Sequence, residues 1–329
     1  MRSLAAQSGV PKTTIIRHMK NDKTLKAKSN YSKPYLTDAN AVHRMQYAMA
    51  FLHPSPNRFI FDSMYQTVHV DEKWFFLTTA KKRVYVYADE EVALRALKSK
   101  RFITKVMFLA AVARPRFDHN KGSMFSGKIG VWPFVEQVVA QRNSRNRPKG
   151  TVLLVPQAVT AEVYRTMILD KVVPAIQAKM PQRVQGSLIY LQQDNASPHK
   201  CVTTQLLLKH GVSGIEVANQ PPNSPDFNVL DLGYFNSIQS LQHQKCTRTI
   251  EELISAVGSS FDELPHDILS KTFITLQKVM ELSLENMGRN DYKLPHMRKD
   301  ATIKDLSLFN VHCDPRIHEQ AVSHLKSLE

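Results

Sequence analysis

Three stretches of this chain set a carboxylate where an isolated one would be costly. Leu188 to Leu191 have strand character and run through Gln192 and Gln193 to Asp194, with a turn signal at Asn195 and Pro198. Residues 67–77 read as a second strand with Asp71 embedded in it, and residues 223–235 as a turn leading into a helix with Asp231 in its first turn. An acid at the end of a buried strand needs positive charge beside it. A divalent cation supplies that charge where several acids converge. Two Mg²⁺ about 3.5–4 Å apart would activate a water or 3′-hydroxyl and stabilise the leaving oxygen of a phosphodiester.

Alternation puts Asp71 on the strand face opposite Val68 and Val70, and Asp194 on the face of Tyr190 and Gln192. If the two strands are neighbours, Asp71 and Asp194 sit side by side, with Asp231 reaching in from a covering helix whose stripe is Leu230, Tyr234, Ile238 and Leu241. Glu72 competes with Asp71 but shares a face with Val68, Val70 and Trp74; Asp226 competes with Asp231 but follows Ser-Pro and reads as a turn acid. Asn195 and His199 are candidates to orient the ligands or touch a phosphate from behind. A lone acid in a turn, such as Asp226 or Asp262, is ordinarily a cap or a solvated side chain; for Asp71 and Asp194 the plain alternative is a purely structural role.

At 329 residues the chain has room for a large core, and its 43% hydrophobic content is that of an ordinary globular protein. No run approaches the length of a membrane span, and the first residues lack a signal-peptide core. Three cysteines without metal spacing point to a reducing compartment. There is no GxGxxG and no GxxxxGK[ST], which leaves nucleotide binding through a Gly-rich loop without support.

The net charge of +15 suggests a polyanionic partner, and residues 1–60 hold ten Lys/Arg against two acids. Residues 2–20 read as two short helices around a turn at Gly9, with Pro11 at the second helix start and Lys12, Thr13, Thr14, Arg17 and Lys20 directed at a DNA groove or phosphates. Lys23, Lys26 and Lys28 extend the basic surface into a polar linker. The alternative is an amphipathic hairpin with a solvated basic face. A unit of this kind needs a third helix, and nothing before Met1 supplies one, so the front reads as truncated.

The elements that must position these residues follow in order. A helix begins at Thr37 or Asp38 and stops before Pro54 and Pro56. Residues 84–87 and 106–112 read as strands after 67–77, the first joined to it by a basic turn at 81–83. Residues 141–150 form a basic loop and 163–179 a helix interrupted by Pro174. After the Asp194 strand come a helix at about 200–210, a strand at 214–217, the Asp231 helix, and helices near 249–262 and 266–288. The expected organisation is a partial helix-turn-helix at 1–22, linker and helix at 23–61, an α/β domain at 62–290, and an irregular tail at 291–329.

The blocks Val68-His69-Val70-Asp71-Glu72-Lys73-Trp74-Phe75, Gln192-Gln193-Asp194-Asn195-Ala196-Ser197-Pro198-His199 and Asn223-Ser224-Pro225-Asp226-Phe227-Asn228-Val229-Leu230-Asp231-Leu232-Gly233-Tyr234-Phe235 together resemble the acidic blocks of mariner-like DNA transposases, particularly the plant-type branch. The resemblance covers about residues 2–290, and the 36 residues between Asp194 and Asp231 fall between animal-type and plant-type spacings. It implies a ribonuclease H-like core, as in retroviral integrases: a mixed five-stranded sheet flanked by helices. It makes Asp71, Asp194 and Asp231 the catalytic and metal-binding acids, with two Mg²⁺ or Mn²⁺ as substitute. The implied partners are double-stranded DNA (terminal inverted repeats and target) and a second copy in a homodimer, in the nucleus. The implied activity is cut-and-paste transposition; the alternatives are a catalytically silent DNA-binding derivative and a plain nuclease of the same fold.

Overall fold

The computed structural model describes residues 8–21, 33–77, 104–143, 147–181 and 187–328. The chain divides into two units, Met1–Tyr35 and Leu36–Glu329. In the first, helix α1 (Lys12–Asn21) starts after Pro11, whose carbonyl accepts from the amides of Thr14 and Ile15. Gly9 ahead of it has φ +66°, as the expected turn requires. The first helix of the expected pair falls largely on residues 1–7, outside the described residues.

The second unit opens with α2 (Asp38–Met49), then β1 (Leu52–Ser55), β2 (Arg58–Phe61), β3 (Thr67–Phe76), β4 (Lys105–Ala113), β5 (Arg116–Asp118), β6 (Ser123–Phe125), β7 (Lys128–Pro133), β8 (Val135–Val139) and β9 (Val152–Pro156). It continues with α3 (Ala161–Met167), α4 (Val173–Lys179), β10 (Ile189–Gln193), α5 (Thr204–Lys209), β11 (Ile215–Asn219), α6 (Phe235–Gln242), α7 (Ile250–Glu263), α8 (His266–Glu285), α9 (Lys299–Thr302), β12 (His312–Cys313) and α10 (Pro315–Lys326). Threonines 37, 160, 203 and 249 start α2, α3, α5 and α7 by accepting an amide of the first turn on their hydroxyls.

The main sheet has the order β11-β10-β3-β4-β7. β10 runs parallel to β3 and β11, whereas β4 is antiparallel to β3 and β7, so the sheet is mixed as expected. Both faces are covered. Val68, Val70, Leu109 and Ala111 pack with Tyr164, Ile168, Val172 and Ile176 on one side. Phe75, Phe108, Ala110 and Val112 pack with Phe227, Leu230, Phe235 and Phe273 on the other. That two-sided burial explains why β4 is an almost unbroken apolar run.

β3 pairs with β4; residues 81–87, the expected turn and strand, lie outside the described residues. Other expectations need correction. The fifth strand is β7, unexpected because Gly130 and Pro133 interrupt its apolar run. β1 carries Pro54 on the edge of a small sheet ordered β1-β2-β12, where the missing N–H costs no ladder bond. Around Pro174 the helix is rebuilt: a π-helical turn at Ile168–Val172 joins α3 to α4, which accommodates the absent N–H.

Residues 291–328, expected to be an irregular tail, carry β12 and α10 within the second unit. β12 adds to β2, and α10 buries Ala321 against the core. Fully buried Arg114 donates to Asn310 Oδ1 (2.6 Å), Ser63 O (3.0 Å) and Phe309 O. Gln277 Nε2 donates to Asp62 O (2.8 Å) and Asn310 Oδ1 (2.9 Å), and its Oε1 accepts from Val311 N (2.8 Å). The other end of α8 is fixed too. Gly288 has φ +79°, and a Cβ there would fall 2.0 Å from Ala41 O of α2. Its carbonyl accepts from Arg44 Nε at 2.9 Å.

Arg44, fully buried, grips Asp226 with two bonds of 2.7 and 2.8 Å and lies 4.2 Å over the Phe227 ring. Asp226→Ala strands that guanidinium in the core. Denaturant unfolding of the variant is expected to give a loss of about 3–5 kcal/mol. His69 offers a second check. It is buried against Phe273, and among the described residues neither ring nitrogen has a partner; burial lowers its pKa to about 3. The unfolded state therefore takes up a proton near pH 6.5 that the folded state refuses, so stability is full above that pH and falls as pH drops below it. His69→Leu is expected to remove about 2 kcal/mol of the acid-dependent loss between pH 7 and pH 5, read from melting curves.

Candidate active site

β3 and β10 bring the first two acids level. Gln192 stands opposite His69 in their parallel register, so two residues further on Asp194, just past the end of β10, arrives beside Asp71. Asp231 enters from the covering layer, in the first turn of a π-helical segment (Leu230–Tyr234) that continues into α6. Asn228 ties that turn to β3: its Nδ2 donates to Asp71 Oδ2 and Val70 O, both at 3.2 Å, and its Oδ1 accepts from Leu230 N at 3.0 Å. Sequence reasoning missed Asn228, although a lone amide between Phe227 and Val229 is a signal of a buried hydrogen-bonding role. Asp71, Asp194 and Asp231 line one cavity of about 450 Å³, walled otherwise by Asn195 and the loop at 220–225.

The three acids sit in unequal environments. Burial pushes the Asp71 pKa well up, and the nearby charges of Asp231, Glu72 and Asp194 push it further. Burial also raises Asp231, with Lys73 and the interaction with Asp71 pulling the other way. Asp194 is half-exposed. There the hydrogen bonds from His199 and Ala196 N (2.9 Å) outweigh burial and hold its pKa below the usual value. The site thus keeps one acid firmly ionised beside two that resist ionisation.

His199, in a 3₁₀ turn at His199–Cys201, stands between two carboxylates. Its Nδ1 bonds Asp194 Oδ1 and its Nε2 bonds Glu72 Oε1 at 3.0 Å. Burial opposes its charged form, but the two carboxylates prevail and raise its pKa to about 9. The ring stacks on Tyr164 at 4.0 Å. Asn195 donates from Nδ2 to Gln220 O at 2.6 Å. Glu72 lies on the Val68/Val70 face as alternation predicts, and Asp226 is held by Arg44.

The DNA-binding candidates are elsewhere. Thr13, Thr14 and Arg17 are exposed on α1, which also spans Lys12 and Lys20; Lys23, Lys26 and Lys28 lie outside the described residues. Among the described residues, no group of three or more His, Cys, Asp and Glu is placed to hold a metal ion, and no helix is long and apolar enough to cross a membrane. The acids around the cavity are nonetheless oxygen donors of the kind hard divalent cations take.

No protein-family model and no curated protein matches the chain. Solved structures do. The mariner Mos1 paired-end complex with Mg superimposes with a TM-score of 0.56 at 16% identity, covering 88% of this chain and 75% of that one. The Mos1 strand transfer complex gives 0.55 at 16%, over 88% and 73%. The catalytic domain of Mos1 mariner transposase gives 0.50 at 14%, over 80% of this chain and all of that one. The chain has the fold of that catalytic domain, a mixed five-stranded sheet between layers of helices, as the acidic blocks led one to expect.

Proposed function

We propose that the chain is a mariner-like cut-and-paste DNA transposase, which cleaves double-stranded DNA at an element's terminal inverted repeats and joins the freed 3′ ends to target DNA. One observation carries the reading: Asp71, Asp194 and Asp231, from two strands and a helix, line a single cavity. The setting supports it, since the fold is shared with Mos1, solved as a paired-end complex with Mg and as a strand transfer complex.

Asp71, Asp194 and Asp231 are the residues that would hold two Mg²⁺, or Mn²⁺ in substitution. Bound there, the cations would supply Lewis-acid stabilisation of phosphodiester oxygens and an acidified attacking hydroxyl. The chain's own groups prepare the place. Asp194 is kept ionised by His199 and Ala196 N–H, both on Oδ1. Asn228 restrains Asp71 Oδ2 while holding the Asp231 turn against β3. Asn195, with Nδ2 on Gln220 O, forms part of the cavity wall. Thr13, Thr14 and Arg17 present hydroxyls and charge for repeat DNA, and a homodimer would bring two element ends together in the nucleus.

Asp194→Asn is expected to lower Mg²⁺-dependent nicking of end-bearing DNA by about a hundred- to thousandfold, the equivalent of several kcal/mol of lost stabilisation, with the gel shift of the same DNA unchanged. Nicking by the parent that survives the substitution sinks the proposal. Binding with no nicking in either protein identifies a silent DNA-binding derivative instead. Arg17→Ala is expected to weaken binding to all sequences alike and to reduce the slope of log K against log salt by about one. An unchanged slope measured by fluorescence anisotropy would remove α1 from the interface.

A further inference from the structure

Glu72 is adjacent in sequence to Asp71 yet projects from the opposite face of β3, among Val68 and Val70. Its side chain is only 10% exposed, and among the described residues its carboxylate has a single hydrogen-bond partner, His199 Nε2 at 3.0 Å. A buried acid on an apolar face costs stability unless it is paired. The pairing here leads to the cavity. The His199 ring passes from Glu72 at one nitrogen to Asp194 Oδ1 at the other.

We infer that Glu72 is a positioning residue: acting through His199, it fixes the rotation of the Asp194 carboxylate so that Oδ2 faces the cavity. The imidazole is held on every side that matters. Tyr164 stacks on its face, within 25° of parallel, and the Tyr164 hydroxyl donates to Gln193 Oε1 at 3.1 Å. Gln193 Nε2 donates to the carbonyl of His199 itself at 3.1 Å and to Val202 O at 3.3 Å. Both bonds to the Asp194 side chain, from His199 and from Ala196 N, fall on Oδ1; among the described residues none reaches Oδ2. With Glu72 in place the ring has one orientation, and so has the carboxylate. Without it, Nε2 loses that acceptor and the ring can turn away. Partners one step behind a metal ligand set its geometry in this manner.

The inference rests on the proposed metal role of Asp194, and its test separates the two. Mn²⁺ binding without DNA is measured from the electron paramagnetic resonance signal of the free ion, for each variant below its own metal-free melting temperature. Glu72→Asp keeps the charge but withdraws the carboxylate by about 1.5 Å; it is expected to weaken Mn²⁺ binding about 10- to 100-fold. Glu72→Gln keeps the reach and loses the charge, and is expected to bind within a few-fold of the parent. His199→Leu should weaken binding like Glu72→Asp, and the two combined should do no worse than His199→Leu alone. Parent-like binding by Asp194→Asn would remove the metal role of the site and this inference with it. Loss in Asp194→Asn with parent-like binding in Glu72→Asp, or equal losses in Glu72→Asp and Glu72→Gln, overturns the positioning role by itself.

Discussion

Parallel pairing between β3 and β10 is the constraint on which the site depends. Two strands far apart in the chain are locked so that Gln192 meets His69 and, one pleat further, Asp194 meets Asp71. The register cannot drift, because both faces of these strands are buried: a slip of one residue would turn Val68 and Val70 out of one core and drive Glu72 into the other. β10 ends at Gln193, so Asp194 lies free of the ladder, while β3 runs on to Phe76 and holds Asp71 in mid-strand. One acid is thus rigid and the other half-released, and Asn228 fastens the third to the rigid one.

Within a few residues the fold treats two acids in opposite ways. Asp226 is neutralised by a buried arginine, a bidentate pair backed by an aromatic ring, and becomes part of the framework. Asp231, five positions on, has its pKa raised by burial, with only partial relief from Lys73 and from its hydrogen bond with Asp71. The same contrast separates Glu72, answered by His199, from Asp71, met by amides and by the neighbouring Asp231. Where the protein satisfies its acids it builds structure, and where it does not they crowd around a cavity.

Much of this was legible in the residues. β3, β4, β10, α7 and α8 announce themselves through apolar periodicity and Thr caps, and the alternation in β3 assigned Asp71 and Glu72 to their faces. What stayed hidden depends on distant partners. β7 is short and broken by Gly130 and Pro133, and is a strand because β4 offers it a ladder. The two residues of β12 carry no signal of their own and become strand only against β2. Alternation could state which face Glu72 occupies, but no spacing rule could say that His199 would meet it there.

The anchoring of residues 306–313 by Arg114 and Gln277 has a temporal consequence. β2 leaves the ribosome long before β12, the strand that completes its sheet. Until then Arg114 lacks its acceptors at residues 306–310, and a guanidinium destined for the interior is short of partners. The second unit therefore closes only once residues 306–313 have been made, and a chain terminated before them carries the acids without the clasp that seals the fold around them.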